Sequence, residues 1–210
     1  MKAFEKRTLC KSALLVSISL TVLLFGTFFH NAYATTAAQI GTDAKNKLNR
    51  SYNKTAAQIK TDTIKTLKRF YREVKGAKEL TSSAKALLVM SGITKAGFFV
   101  GGEYGQGELR VGGETDGYYN LIAGSYGLTF GAQKMDIIIA FMTEDALRQF
   151  KEIDGWEVGV TGNVALIDVG GGKRLDTTTL KDPVVAFVFG AKGLMLDVSL
   201  KGAKFTKIKK

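Results

Sequence analysis

The chain has 210 residues, with 30 Lys or Arg against 19 Asp or Glu, a formal net charge of +11, one His and one Cys. Both rare residues, His30 and Cys10, fall in an N-terminal stretch of export-signal type, so the chain left after its removal contains neither. Disulfides, Cys/His metal sites and His-based triads are then excluded, and 45% hydrophobic residues with a single Pro exclude disordered and collagen-like classes.

The first element is that stretch. Lys2, Lys6, Arg7 and Lys11 form a positive n-region, the apolar run Ser12 to Phe29 follows, and Ala32-Tyr33-Ala34 supplies a cleavage pattern before Thr35. The expectation is a signal peptide at 1–34, cleaved after Ala34, and a periplasmic or envelope location. The apolar run is also at the lower limit of what spans a bilayer uncleaved.

Charge is uneven in the remainder. Residues 35–80 hold eleven basic and four acidic residues, 81–200 hold ten and fourteen, and 201–210 hold five Lys and no acid. A mildly acidic body is therefore flanked by two basic arms. In the first arm, apolar residues from Ala37 through Ile40, Leu48, Ile59, Leu67, Phe70 and Val74 follow a period of about 3.6 residues, so 35–80 is expected as one long helix or a broken pair. Lys47, Arg50, Lys54, Lys65, Lys68, Arg72 and Lys75 project roughly opposite that stripe. The segment is a basic amphipathic helix: its stripe suits docking on the domain, its other face suits solvent or headgroups.

From Thr81 onward the pattern changes to short apolar or alternating runs separated by Gly, as in sheet proteins. Strands are expected at Ala86–Met90, Gly97–Tyr104, Glu108–Val111, Tyr118–Ala123, Gly127–Ala132, Met135–Phe141, Trp156–Val160, Asn163–Val169, Pro183–Phe189 and Leu194–Leu200. One short helix interrupts them near 143–153, with Thr143 as cap, Glu144 and Asp145 in its first turn, Leu147 and Phe150 inward, and Asp154-Gly155 at its end. The runs Ile137–Met142 and Val184–Phe189 are apolar on both faces of a strand and require cover on both sides. The fold class is α+β: an N-terminal amphipathic helix packed on a Gly-rich, mostly antiparallel, closed or sandwiched β-sheet.

Catalytic motifs are weak. Gly101–Gly107 lacks the G-x-G-x-x-G spacing and suits a bent hairpin. Gly170–Arg174 has Ile167 and Arg174 where a phosphate loop needs Gly and Ser or Thr, leaving at most an anion nest beside Lys173 and Arg174. Ser125 falls one residue short of G-x-S-x-G and has no His base after export. The carboxylate pairs Glu103 with Glu108, and Asp168 with Asp176, are better explained as solvated turn residues than as an acid and base. Phe98, Phe99, Tyr118, Tyr119, Tyr126, Phe130 and Trp156 sit among apolar residues, which suits a core or an interface and not nucleic-acid stacking. The expectation is no enzyme, no cofactor, no metal and no nucleic-acid partner.

The order of motifs resembles one family. Ala84–Val89, Lys95-Ala96-Gly97-Phe98 with Gly101–Gly105, Tyr118-Tyr119, Gly124-Ser125-Tyr126-Gly127, Gly131-Ala132-Gln133, Phe141-Met142-Thr143, Gly155-Trp156-Glu157, Asp176–Thr179, Val185–Gly190 and Lys192–Met195 together resemble the SYLF-domain family, in its bacterial exported branch, over about residues 44–209. The resemblance implies a membrane-associated module that binds phospholipids through a basic N-terminal helix, at positions matched here by Lys47, Arg50, Lys54, Lys65, Lys68 and Arg72. Lys204, Lys207, Lys209 and Lys210 of the C-terminal arm add to that charge. Some relatives bind actin, which is not an expected partner for an exported chain. The organisation is then a signal peptide at 1–34, a basic helical segment at 35–80, and a β-rich domain at 81–210 with a basic C-terminal tail. The function is reversible association with anionic phospholipid membranes; the alternative is an envelope scaffold whose helix docks on a protein partner.

Overall fold

The computed structural model describes residues 53–97, 100–126, 131–169, 181–192 and 200–210. The expected signal peptide, Lys47, Arg50, the Gly170–Arg174 loop, Asp176 and the body of the expected Leu194–Leu200 strand lie outside the described residues.

Helix α1 spans Ala56–Glu73 and α2 spans Ala77–Ser83. A capping box starts α1: the Thr55 hydroxyl accepts from the Gln58 amide at 3.3 Å, while the Gln58 side chain accepts from the Thr55 amide at 2.8 Å. Val74 is extended and Gly76 has φ 82°, a left-handed conformation that ends α1 and redirects the chain into α2. Of the two expected arrangements, the described part of the arm is thus a broken pair.

The strands are β1 Ala86–Gly97, β2 Val100–Val111, β3 Glu114–Tyr126, β4 Gly131–Phe141, β5 Trp156–Glu157, β6 Ala165–Asp168, β7 Val184–Lys192 and β8 Lys204–Ile208, with α3 at Glu144–Glu152. They form one curled sheet, a half-barrel, in the order β5-β8-β3-β2-β1-β4-β7-β6. All pairs are antiparallel except β6 with β7.

The doubly apolar runs behave as their pattern requires. Ile137, Ile139, Phe141, Val184, Ala186 and Val188 pack on one face, and Ile138, Ala140, Val185, Phe187 and Phe189 on the other, all buried. On the first face α3 inserts Leu147 and Phe150. The Phe150 ring lies 4.8 Å from Phe141, 4.9 Å from Tyr119 and 5.5 Å from Trp156. The Thr143 hydroxyl caps α3 by accepting from the Ala146 amide at 3.2 Å, and Gly155, at φ 71°, follows its end. On the second face Phe70, Val74, Ala77 and Leu80 of the helical pair close the other core. The sheet is therefore sandwiched between two apolar layers.

Two expectations are corrected. Gly101–Gly107 is no hairpin; it runs straight through β2, and the turn is Gly112-Gly113, with φ 58° and 88° between the paired Val111 and Glu114. The glycines serve close approach instead: a Cβ on Gly105 would sit 2.7 Å from Ile93 Cγ1, and one on Gly107 would collide with Val89 and Met90 of β1. The C-terminal basic segment is likewise no free tail. Residues Lys204–Ile208 form β8 between β3 and β5, with Phe205 buried against Trp156 and Phe150.

Candidate membrane-binding surface

Burial along α1 has two sides. Ile59, Thr63, Thr66 and Phe70 face the sheet and are buried, while Lys60, Lys65, Lys68 and Arg72 are exposed. At about 100° per residue, Lys68 and Arg72 fall opposite the buried four, and Lys65 lies at the edge of that face toward Arg69 and Asp62. Lys65 and Lys68 have no ion-pair partner among the described residues; Arg72 has Glu73 at 3.5 Å. Ile64, 43% exposed, lies on this outer side between Lys60 and Lys68. Lys60 escaped notice in the sequence because it sits on the flank of the arc and not at its centre.

Lys54 behaves differently from the other basic residues of the arm. It precedes the helix cap and turns inward, its side chain 15% exposed, donating to the Ser91 carbonyl at 3.0 Å and pairing with Asp62 at 2.8 Å. Its own carbonyl accepts from the Lys210 ammonium at 2.7 Å. The two basic arms, 156 residues apart in sequence, thus meet at one place. Lys204, Lys207 and Lys209 are exposed on or just beyond β8.

Beneath the middle of α1 is a feature that helical periodicity did not reveal. Arg69 forms an ion pair with Asp136 of β4, whose carboxylate also accepts from the Thr66 hydroxyl at 3.2 Å and from the Gly92 amide at 2.6 Å. The guanidinium also stacks 4.9 Å from the Phe189 ring centre and covers Gly190, where any Cβ would collide with it. A register shift in β1 between Met90 and Ile93 lies beside one between Lys134 and Asp136 at the β4–β7 pairing. These bulges open a cleft of about 370 Å³ between α1 and the sheet. The signal available in sequence was Asp136, an acid in the middle of β4 immediately before its apolar run Ile137–Phe141.

The expected carboxylate pair does not assemble. Glu103 and Glu108 are five residues apart on one strand and so lie on opposite faces of β2. Both are buried and not solvated, Glu103 pairing with Lys95 at 3.1 Å and Glu108 with Arg110 at 2.9 Å. Buried carboxylates persist only when paired, and the cross-strand and same-face cations supply that. Of the aromatic group, Tyr119 and Trp156 are core residues; burial, with Asp116 nearby, pushes the Tyr119 phenol up to about 12.

No described helix is long and apolar enough to cross a membrane. Residues 122–210 match the Ysc84 (SYLF) family model, described as "Las17-binding protein actin regulator". The match takes in the end of β3 and everything after it, and leaves α1, α2, β1 and β2 outside. No curated protein matches the chain. The family is associated with lipid binding and with actin-related roles.

Proposed function

We propose, for a chain whose residues 122–210 match the SYLF family model, reversible binding to anionic phospholipid membranes through the outer face of α1 and the lysines of the C-terminal segment. The observation that carries this reading is the pairing of a spent apolar stripe with an unspent basic face. Ile59 and Phe70 are already buried against the sheet, so α1 as docked has no wide apolar face to insert in a bilayer, whereas Lys65 and Lys68 stand exposed without partners among the described residues. Attraction to an anionic leaflet is worth about 1 kcal/mol per basic residue near the surface and is shortened by salt to a Debye length of about 8 Å under physiological conditions. Ile64 supplies one shallow apolar contact between Lys60 and Lys68. The same reading takes residues 1–34 as an export signal, which would bring the encounter to the cell envelope, and it asks no chemical step of the protein.

Flotation with vesicles of phosphatidylcholine and phosphatidylglycerol tests the reading. The chain should float at low salt and progressively less toward 0.15 M salt. Replacing Lys65, Lys68 and Arg72 by Gln should weaken binding at least tenfold, since about 3 kcal/mol of attraction is removed before screening, while the melting temperature stays put because Gln has a comparable helix propensity. Undiminished flotation of the triple variant would refute the assignment to α1. Absence of flotation by the wild type would favour the protein-docking alternative.

A further inference from the structure

The cleft under α1 has an ion balance that its neighbours do not close. Both of its carboxylates are committed, Asp62 to Lys54, and Asp136 to Arg69, Thr66 and the Gly92 amide. Two further cations line the same cleft, Lys65 from the helix wall and Lys134 from the sheet wall, and neither has a partner among the described residues. Ser91, on the β1 bulge, also lines it. The residue is 5% exposed and its hydroxyl has no hydrogen-bond partner among the described residues. A buried hydroxyl without a partner is costly and points to a missing one.

What remains uncommitted is therefore two ammonium groups on opposing walls and one hydroxyl, all capable of donating, with an excess charge of about two once the ion pairs are discounted. A divalent cation finds no free carboxylate here. The complement is a dianion with several acceptor oxygens, and the volume exceeds that of one tetrahedral anion and leaves room for the group it is attached to. We propose that this cleft binds a phosphate monoester, with Lys65 and Lys134 neutralising it and the Ser91 hydroxyl donating to one of its oxygens. The Arg69–Asp136 pair is the floor that holds the walls apart. The inference deepens the membrane reading by naming the headgroup class, and so rests on that reading where the ester is a lipid; the same chemistry would take a free phosphate ester.

The test uses the full chain with Lys134→Gln and Ser91→Ala variants, which leave the outer face of α1 intact. Vesicles of phosphatidylcholine with phosphatidic acid, a monoester, are compared with vesicles carrying phosphatidylglycerol, a diester, at matched surface charge; glycerol 3-phosphate is titrated separately by NMR. Wild type should prefer phosphatidic acid by about tenfold, the gain expected from one or two added charge-assisted hydrogen bonds. Each variant should lose that preference while keeping its phosphatidylglycerol binding. A preference that survives in both variants overturns the cleft, as does equal binding of both lipids by wild type with no response to glycerol 3-phosphate, and in either case the membrane reading stands. Glycerol 3-phosphate bound by wild type and lost in Lys134→Gln, with no vesicle binding, supports the cleft with a free ester and overturns the membrane reading instead. Ser91→Ala removes only a hydroxyl without a partner, and matching melting curves confirm that either variant is folded.

Discussion

The two halves of α1 are held to the same sheet by different physics. The C-terminal half docks through Phe70, fully buried, with its ring 5.0 Å from Phe187 and 5.4 Å from Phe189, and Val74 beside it. The N-terminal half buries Ile59 but otherwise sits over polar ground. Thr63 is buried with its hydroxyl unpartnered, and Thr94 and Gln106 of the strands below each keep a buried oxygen without a partner among the described residues. An aromatic cluster gains stability from area and contact, whereas an incompletely satisfied polar layer gains little and costs desolvation. The comparison teaches where the helix is anchored: it is pinned at its C-terminal half, which also carries Lys65, Lys68 and Arg72, while the N-terminal half, with Lys60, is attached more weakly.

Three substitutions can break or sharpen that contrast. Phe70→Ala should have the largest effect, a loss of about 3–5 kcal/mol for a buried aromatic, read as a fall in the denaturation midpoint; a loss below 1 kcal/mol would mean the cluster is not the anchor. Thr55→Ala should cost about 1 kcal/mol, because it removes one side of the capping box at the other end of the helix. That loss should appear mainly as faster amide exchange in the first turns of α1, with exchange near Phe70 unchanged. Thr63→Val should be the smallest, between neutral and about 1 kcal/mol stabilising, since it replaces an unpartnered buried hydroxyl with a methyl of similar shape. A clear destabilisation by Thr63→Val would show that the polar layer is satisfied and that the two halves are held alike.

Much of this architecture was legible where the signal is local. Ile137–Met142 and Val184–Phe189 announced central strands because a run apolar at every position has no other way to be covered, and the structure buries both faces of each. The helix after Thr143 was readable from its cap, its acidic first turn and the spacing of Leu147 and Phe150. The outward setting of Lys65, Lys68 and Arg72 followed from helical period alone.

Position among neighbours was decided only in three dimensions. Lys204–Ile208 mixes two Lys with Phe, Thr and Ile over five residues, too short and too charged to announce a strand, and it becomes β8 because the open edge of β3 supplies its partners. Gly105 and Gly107 carry no mark of whether they turn a chain or admit one; the closeness of β1 decided for admission. Lys54 has the helical phase of a surface residue but precedes the cap, so helical phase does not govern it, and Asp62 and the Ser91 carbonyl turn it inward. Arg69 and Asp136 are 67 residues apart, and no periodicity links them. Sequence by itself determined which faces are apolar and which are basic, because that depends only on the period of each element. Which charge meets which, and hence the cleft, depended on strand order and bulge placement, which are set by long-range pairing that local pattern does not encode.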